Sequence, residues 1–321
     1  MMTDSAVLPQ GYTVRAPEPT DAQGIFELVS AYNAALVGFA DCTLDEVADN
    51  IVEPGFSRTT DGFLVFAGDD LPVGYGIAFA KGDRDMIDIE VTSQDPSVAA
   101  WLFERTMQRA VAMGRESSHA EITVDAFVYH ADELLRALLT EHAFAAGTTY
   151  FRMRIDHTEP VAAPELPAGV SIRRGAFDAA TRRRGHDVVL DAFRGQFGFV
   201  PRPHDEWIER LETSSSFAWS QFTLLEVDGQ AVAVRVCGDE FIEGDNCGHL
   251  AMLGVLEEFR GRGLATFLLR DSFALDAAAG RTGTVLHVDT NNPSQALRLY
   301  ESVGMAPTLV MDGLRCKVST S

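Results

Sequence analysis

Residues 247–305 read CGHLAMLGVLEEFRGRGLATFLLRDSFALDAAAGRTGTVLHVDTNNPSQALRLYESVGM, and this stretch decides the fold. An apolar strand at residues 250–255 leads into the turn at residues 260–265, Arg-Gly-Arg-Gly-Leu-Ala. Apolar residues at helical spacing follow the turn and predict a helix. A second strand at residues 284–289 and a second helix, which carries Tyr300, complete the unit.

The turn between the first strand and its helix is suited to bind a phosphate. Glycines let the backbone approach an anion closely, and the first N–H groups of a helix have no acceptor within the helix. Arg260 and Arg262 add positive charge to the same turn. The pattern therefore predicts a phosphate site on the backbone of residues 261–266.

This stretch resembles motifs A and B of the GNAT superfamily of N-acetyltransferases. Their signature, Arg/Gln-x-x-Gly-x-Gly/Ala, fits residues 260–265. An Asn, a spacer, a Leu-Tyr pair and a Gly-aromatic pair usually follow, and here Asn292, Leu299, Tyr300 and Gly304 occupy those places. The usual Phe is replaced by a Met at position 305, and the spacing from Asn to Tyr is one residue longer. Both Asn291 and Asn292 are therefore candidates for the family role.

The resemblance implies transfer of an acetyl group from acetyl-CoA to a primary amine by direct attack. Tyr300 would be the acid that assists the leaving thiolate, and Asn292 would bind the pantetheine arm or fix its own loop. The predicted cofactor-binding residues are Leu253, Gly254, Val255, Arg260, Gly261, Arg262, Gly263, Leu264, Ala265, Thr266 and Asn292. For Gly254 a packing role is the alternative, and for Asn292 the alternative is a helix cap.

The general base is predicted to be His249. On a regular strand it shares a face with residues 251, 253 and 255, and an imidazole titrates near neutral pH. Tandem GNAT proteins of the mycothiol synthase type resemble this chain in layout and carry a Glu at the corresponding place. The remaining candidates for the base are Glu226, Glu243 and Asp245, and His249 could also be a core or surface histidine.

The order of predicted strands and helices occurs twice along the chain, which indicates an internal repeat. We predict an α/β fold of two tandem GNAT domains, each a mixed, mostly antiparallel sheet flanked by helices. The predicted bounds are residues 1–157 for a degenerate N-terminal domain, 158–169 for a Pro- and Ala-rich linker, and 170–321 for the catalytic domain.

The first half has lost the residues that the resemblance requires. A shift of about 165 residues lays Pro96, Ser97 and Val98 over the glycine-rich turn, and it places Asp95 opposite Arg260. The branched side chain of Val98 is expected to occupy phosphate space. Leu139 is expected to stand opposite Tyr300. The first half should therefore not bind acetyl-CoA.

An aromatic loop at residues 193–207, FRGQFGFVPRPHDEW, is predicted to cover the acceptor. The alternative is a packing loop, because Phe and Trp most often fill a core. Two other functions compete with acetylation of a small amine. One is acetylation of a protein N terminus or a lysine, and the other is a non-catalytic, regulatory binding of acyl-CoA.

Charge and composition limit the partners. The formal net charge is -21, which argues against nucleic acid because the phosphate backbone would be repelled. The acidity favours solubility, and part of it could attract a cationic amine. No apolar run is long enough to span a membrane, and the four cysteines lack paired metal-ligand spacing. We expect a cytoplasmic monomer or homodimer that uses no metal.

Overall fold

The computed structural model describes residues 7–68, 71–292 and 294–321. The chain forms two compact units. Unit one comprises the residues up to Thr149 together with Met311–Ser321, and unit two comprises Tyr150–Val310. The boundaries therefore fall inside two long strands rather than in the predicted linker.

Unit one contains both strands and helices. In chain order it contains β1 Tyr12–Arg15, α1 Ala22–Val37, α2 Leu44–Ile51, α3 Arg58–Asp61, β2 Gly62–Ala67, β3 Leu71–Lys81, β4 Met86–Thr92, α4 Pro96–Glu116, β5 Glu121–Tyr129 and α5 Glu133–Glu141. The capping box predicted by Thr43 and Glu46 is present at the start of α2, where Thr43 accepts a hydrogen bond from the Glu46 N–H group.

Unit two begins inside a strand that starts in unit one. Its elements are β6 Ala145–Asp156, β7 Val170–Arg174, α6 Ala179–Ala192, α7 His204–Thr213, β8 Phe222–Val227, β9 Gln230–Gly238, α8 Ile242–Asp245, β10 Cys247–Val255, α9 Leu264–Ala278, β11 Gly283–Asp289, α10 Ala296–Ser302 and β12 Ala306–Ser319. The predicted hairpin at Asp228 and Gly229 is confirmed, since both residues have positive φ, as such a turn requires.

Each unit has a mixed, mostly antiparallel sheet, as predicted. In unit one the order is β1-β2-β3-β4-β5-β12, and in unit two it is β6-β11-β10-β9-β8-β7. The pair β4–β5 and the pair β10–β11 are parallel, and the other pairs in these two orders are antiparallel. Parallel neighbours need a crossover connection, which α4 and α9 supply.

The closing strands of the two halves are exchanged. Residues 150–156 of β6, from the first half of the sequence, pair with β11 in unit two. Residues 311–319 of β12, at the other end of the sequence, pair with β5 in unit one. Leu314 and Cys316 of β12 are buried in the unit-one core, so the strand is an integral part of that unit.

Helices cover both faces of each sheet, because both faces of the central strands are apolar. In unit one α4 packs on one face, and α1 with α2 packs on the other. In unit two α9 packs on one face, and α6 with α7 packs on the other. In the part of the chain that the structure describes, no helix has the length and apolar character to cross a bilayer.

Candidate active site

The two parallel strands of unit two separate in the middle of the sheet. Their pairing runs from Cys247↔Gly283 to Leu250↔Leu286, although β10 continues to Val255 and β11 to Asp289. Beyond Leu250 the two strands diverge and enclose a cavity of about 730 Å³. The predicted track, Leu253, Gly254 and Val255, lies on its wall.

A bulge in β10 changes the face on which His249 was expected. The register against β9 shifts between Leu250 and Met252, which leaves Ala251 as the extra residue. Leu253 and Val255 therefore pack with α9, whereas Met252 packs on the opposite face, toward α6 and α7. The prediction that His249 shares a face with Leu253 and Val255 is wrong, because a bulge breaks the two-residue period of a strand.

The glycine-rich turn forms an open cradle at one end of the cavity. Gly261 and Gly263 have φ values of 74° and 77°, a backbone conformation that favours glycine. A Cβ atom at either position would meet no other atom within 4 Å. Gly263 is the residue that precedes α9, so the first N–H groups of that helix point into the same space. The backbone therefore offers positive dipoles and room for an anion.

The two arginines of the turn differ in position. Arg260 lines the cavity, and its Nε donates to the Val255 carbonyl over 3.3 Å. Arg262 donates to the Glu258 carbonyl over 3.4 Å and lies 4.7 Å over the Phe259 ring. It is not among the residues that line the cavity. Arg260 is thus the better placed of the two to meet a bound phosphate.

Tyr300 lies inside the cavity wall and is 7% exposed. Burial raises the pKa of its phenol to about 12, so the side chain stays neutral at physiological pH. The part of the chain that the structure describes supplies no hydrogen-bond partner for this hydroxyl. A neutral phenol with an available proton is a strong hydrogen-bond donor toward developing negative charge.

Asn292 fixes its own loop, and its contact with the pantetheine arm stays a prediction. It lines the cavity, while its Oδ1 accepts hydrogen bonds from the Ser294 N–H group over 2.9 Å and from the Ser294 hydroxyl over 2.6 Å. Asn291 instead donates its backbone N–H to Asp289. The helix-cap alternative for Asn292 is wrong, because Gln295 is the residue that precedes α10. Pro293 lies outside the described residues.

His249 does not line the cavity, but it lies beside a histidine that does. Its Nδ1 is 2.9 Å from Glu240 Oε2, and its ring centroid is 5.7 Å from that of His287. His287 faces the cavity, where its side chain is exposed, and desolvation by the surrounding protein, with the nearby His249 and Arg152, lowers its pKa. Burial opposes ionisation of Glu240, yet the hydrogen bond from His249 keeps its pKa below the ordinary value.

The other candidates for the base are held in ion pairs or lie outside the cavity. Asp245 pairs with Arg152, and Glu226 is 2.6 Å from Arg184. Neither they nor Glu243 are among the described residues that line the cavity. Residues missed by the sequence analysis include His287 and Tyr150. A histidine in the otherwise apolar strand TVLHV was the available signal for the first of them.

The first part of the aromatic loop covers the cavity, and the last part fills the core. Phe193, Phe197 and Phe199 line the cavity, and the Tyr150 hydroxyl donates to the Phe197 carbonyl over 3.1 Å. Trp207 is 5% exposed and packs with the α6 side of the sheet. The start of the loop therefore lies at the cavity, as the prediction requires, whereas Trp207 packs in the core, as the alternative requires.

Unit one lacks the cradle because its turn is shorter. Eight residues, 256–263, connect β10 to α9, whereas three, 93–95, connect β4 to α4. Asp95 caps α4 and accepts hydrogen bonds from the N–H groups of Ser97, over 2.8 Å, and Val98, over 3.3 Å. A carboxylate of the chain itself therefore takes the donors that are open in unit two.

The expected role of Val98 is wrong, and that of Leu139 is confirmed. Val98 is fully buried and points at Gly74, away from any phosphate space. The N–H group of Phe144 donates to the Leu139 carbonyl, just as that of Met305 donates to the Tyr300 carbonyl. Leu139 therefore stands where Tyr300 stands in the other unit.

The residues around this cavity are similar in sequence to a known protein family. Residues 186–305 match the acetyltransferase (GNAT) family. A mycothiol acetyltransferase from Thermobispora bispora is 31% identical over 160 residues, which are 48% of this chain and 52% of that protein. The match thus spans about half of that relative's length.

Solved structures share the fold over nearly the whole chain. A GCN5-related N-acetyltransferase from Sphaerobacter thermophilus superposes with a TM-score of 0.80 at 22% identity and covers 98% of both chains. A tandem GNAT protein from the clavulanic acid biosynthesis pathway gives 0.71 at 13% identity, over 95% of this chain and 98% of its own. The tandem GNAT fold predicted from the sequence is confirmed.

Proposed function

Because residues 186–305 match the acetyltransferase (GNAT) family, we propose that this chain is an acetyl-CoA-dependent N-acetyltransferase for small primary amines. The reaction takes place in unit two. The observation that carries this proposal is the cavity between β10 and β11, which has an open glycine cradle at one end and the Tyr300 hydroxyl in its wall.

The residues present fit acetyl-CoA. The backbone of residues 261–266 and Arg260 would hold the pyrophosphate, since the cradle is open and the helix dipole favours an anion there. The pantetheine amides would hydrogen-bond to the edge of β10 at Leu253, Gly254 and Val255, like an added strand. Acetyl-CoA supplies an activated acetyl group as a thioester.

Tyr300 assists the departure of the thiolate by donating a hydrogen bond. As the nitrogen–carbon bond forms and the carbon–sulfur bond breaks, negative charge moves to sulfur. A thiol has an ordinary pKa of about 8.5, well below the pKa of about 12 of the Tyr300 phenol. Complete proton transfer from Tyr300 is therefore uphill. The base takes the first proton of the ammonium group before attack, and the second proton, which the nitrogen releases once the nitrogen–carbon bond has formed, ends on sulfur.

The amine loses its proton toward His287 and His249. His287 is the ring that faces the cavity, and its low pKa keeps it neutral, so it can accept a hydrogen bond from the amine. The Glu240 carboxylate accepts a hydrogen bond from Nδ1 of the neighbouring His249 and fixes the orientation of that ring. We propose His249, whose ring lies beside that of His287, as the base, with Glu240 as the residue that positions the His249 ring.

A small acceptor fits this site better than a protein chain. Phe193, Phe197 and Phe199 lie along the cavity, which limits the space beside the reacting centre. The likeness to a mycothiol acetyltransferase also supports a small-molecule acceptor.

A thiol-release assay tests the function. The full chain is incubated with acetyl-CoA and a panel of small primary amines, with N-terminal and lysine peptides as the other arm. We expect CoA release that depends on a small amine, with the acetylated amine found by mass spectrometry. Turnover of peptides alone would replace the small-molecule assignment. Acetyl-CoA binding without turnover of any acceptor would favour a regulatory module.

A further inference from the structure

Unit one has a cavity of its own, and the proposed reaction does not use it. The β4–β5 pairing ends at Ile89↔Ala126, although β4 continues to Thr92 and β5 to Tyr129. The space beyond this point has a volume of about 440 Å³ and lies against α1 and α2. Because Asp95 caps α4, the open cradle of unit two has no counterpart beside it.

The charged side chains around this cavity are all acidic. Asp41, Glu46, Glu90 and Asp132 line it, and no Lys or Arg stands among its described lining residues. Three of the four carboxylates already accept hydrogen bonds from the protein. Asp41 accepts from the Tyr129 hydroxyl over 2.7 Å, Glu46 from the Thr43 N–H over 2.8 Å, and Asp132 from the Leu135 N–H over 2.9 Å.

Glu90 and Tyr75 lack such partners. Glu90 makes no hydrogen bond or ion pair within the described part of the chain, although its carboxyl borders the cavity. Tyr75 is 7% exposed, lines the same cavity, and has a buried hydroxyl with no described partner. The two side chains lie on one face of the sheet, since Tyr75 pairs with Thr92 and Ile77 with Glu90.

Among residues 7–68, 71–292 and 294–321, neither of these two groups has a hydrogen-bond partner. Enclosure by the protein, with Asp88 and Glu53 nearby, raises the pKa of Glu90 to about 7. Burial and the charge of Glu90 also raise the pKa of Tyr75. Buried polar groups are normally hydrogen-bonded, so the buried Tyr75 hydroxyl needs a partner, whereas the Glu90 carboxyl is exposed toward the open space of the cavity. An acidic cavity with an unpaired carboxyl and an unpaired hydroxyl is therefore suited to a cationic ligand.

We propose that the unit-one cavity binds a small protonated primary amine with an apolar body. The ammonium group donates hydrogen bonds to Glu90 and to the Tyr75 hydroxyl, and its charge matches the surrounding carboxylates. The apolar part lies against Ile25, Val29 and Leu139, which line the same space. An ammonium has three donors and meets both unpaired groups. A quaternary ammonium would leave them without a hydrogen bond, and a neutral chain would leave Glu90 unpaired.

Calorimetric titration of the full chain with n-hexylamine hydrochloride tests this site. We expect saturable binding that weakens by ~10-fold or more in Glu90→Gln, because the variant removes the carboxylate that pairs with the ammonium group inside the cavity. Glu27→Gln is the matched control, since it removes the same charge from the exposed side of α1. Tyr75→Phe should weaken binding less, and 1-hexanol should not bind the wild-type chain.

The outcomes separate this site from the proposed acceptor site in unit two. Hexylamine bound only in unit two would keep its affinity in Glu90→Gln, and that result would overturn the proposal. Equal binding of 1-hexanol would also overturn it, since the cavity would then select an apolar chain. Glu90→Gln should fold with an unchanged or higher Tm. If Glu90→Gln does not fold, the hexylamine affinity of Tyr75→Phe and the titration of the wild-type chain with 1-hexanol test the proposal instead. The acetyl-transfer assay is independent of both results.

Discussion

At the scale of single residues, the most direct prediction concerns the removal of the Tyr300 hydroxyl. Tyr300→Phe removes a hydrogen bond that strengthens as charge develops on sulfur. We expect kcat to fall at least ~10-fold, with little change in KM for acetyl-CoA. Because the pKa of Tyr300 is about 12, the defect should be constant between pH 6 and pH 9.

Tyr150→Phe is the control for this variant, since Tyr150 lines the same cavity but donates to the Phe197 carbonyl. It should change KM for the amine more than kcat. A Tyr300→Phe enzyme with full kcat would remove the assignment of Tyr300.

His249→Ala should give a different pH profile. Without the base, only amine that has already lost its proton can react, so the rate loss should be largest at low pH and shrink as pH rises. Glu240→Gln should produce the same shape with a smaller loss, because Glu240 acts by holding His249. Steady-state kinetics from pH 6 to pH 9.5 checks both. A defect that does not depend on pH would transfer the base role to another group.

Gly263→Val is expected to abolish acetyl-CoA binding. The side chain would fill the open cradle, and φ of 77° is also unfavourable for a branched residue. Gly280→Val is a matched control, because Gly280 has φ of 76° and equally open surroundings outside the cradle. Both variants should lose similar stability, about 1–2 kcal/mol. Calorimetry should show lost binding in Gly263→Val alone, and equal affinities would contradict the pyrophosphate site.

At the scale of elements, α9 is anchored by a buried ion-pair network. Asp271 accepts from Arg235 over 2.8 Å and from both guanidinium nitrogens of Arg174. Burial opposes the charge of Asp271, but the two arginines hold its pKa below the ordinary value. Asp276, one turn further on, has a pKa raised by burial despite the Thr284 hydroxyl that donates to it.

The two aspartates should therefore respond oppositely to substitution. Asp271→Asn should cost about 3–5 kcal/mol at pH 7, because it leaves the buried Arg235 without its ion-pair partner. That contribution is present above the unfolded-state pKa of about 3.9 and is lost as pH falls through the lower folded value. Asp276→Asn should be neutral or stabilising at pH 7, since burial opposes the charge of Asp276 and the amide keeps an oxygen that can accept from Thr284. Urea unfolding at pH 7 and pH 3.5 checks both, and an unchanged midpoint for Asp271→Asn would contradict the network.

Most elements could be predicted from the sequence because their signals are local. Caps, turns and apolar periods identified α2, the β8–β9 hairpin and the glycine turn before α9. The face of His249 could not be predicted, because the bulge at Ala251 depends on the register against β9. The same limit applies to Val98, whose direction is set by the length of the turn before α4.

At the scale of the whole molecule, we predict one acetyl-CoA per chain. In unit one the Asp95 carboxylate occupies the donors at the start of α4, and the connecting turn is too short for a cradle. Calorimetry should give a single site in the wild-type chain and none in Gly263→Val. Two equivalent sites, or residual binding in that variant, would show that unit one also binds the cofactor.

The exchange of closing strands could not be predicted from the sequence, for a physical reason. Which strand joins an edge depends on contacts between residues far apart in the chain, and both β6 and β12 read as closing strands of their own halves. Arg315 of β12 makes a two-point ion pair with Asp125 of β5, over 2.6 and 2.7 Å. This pair helps to select the partner strand.

The position of β12 also sets an order of events during synthesis. Residues 311–319 leave the ribosome after all of unit two, yet they form the edge of the unit-one sheet beside β5. At ~5–20 residues per second, the nascent unit one waits roughly ten to thirty seconds for this strand. During that interval the backbone groups of β5 remain open to other strands. Slower translation of the second half would lengthen the exposure, and chaperones that shield strand edges would act on the nascent chain at this stage.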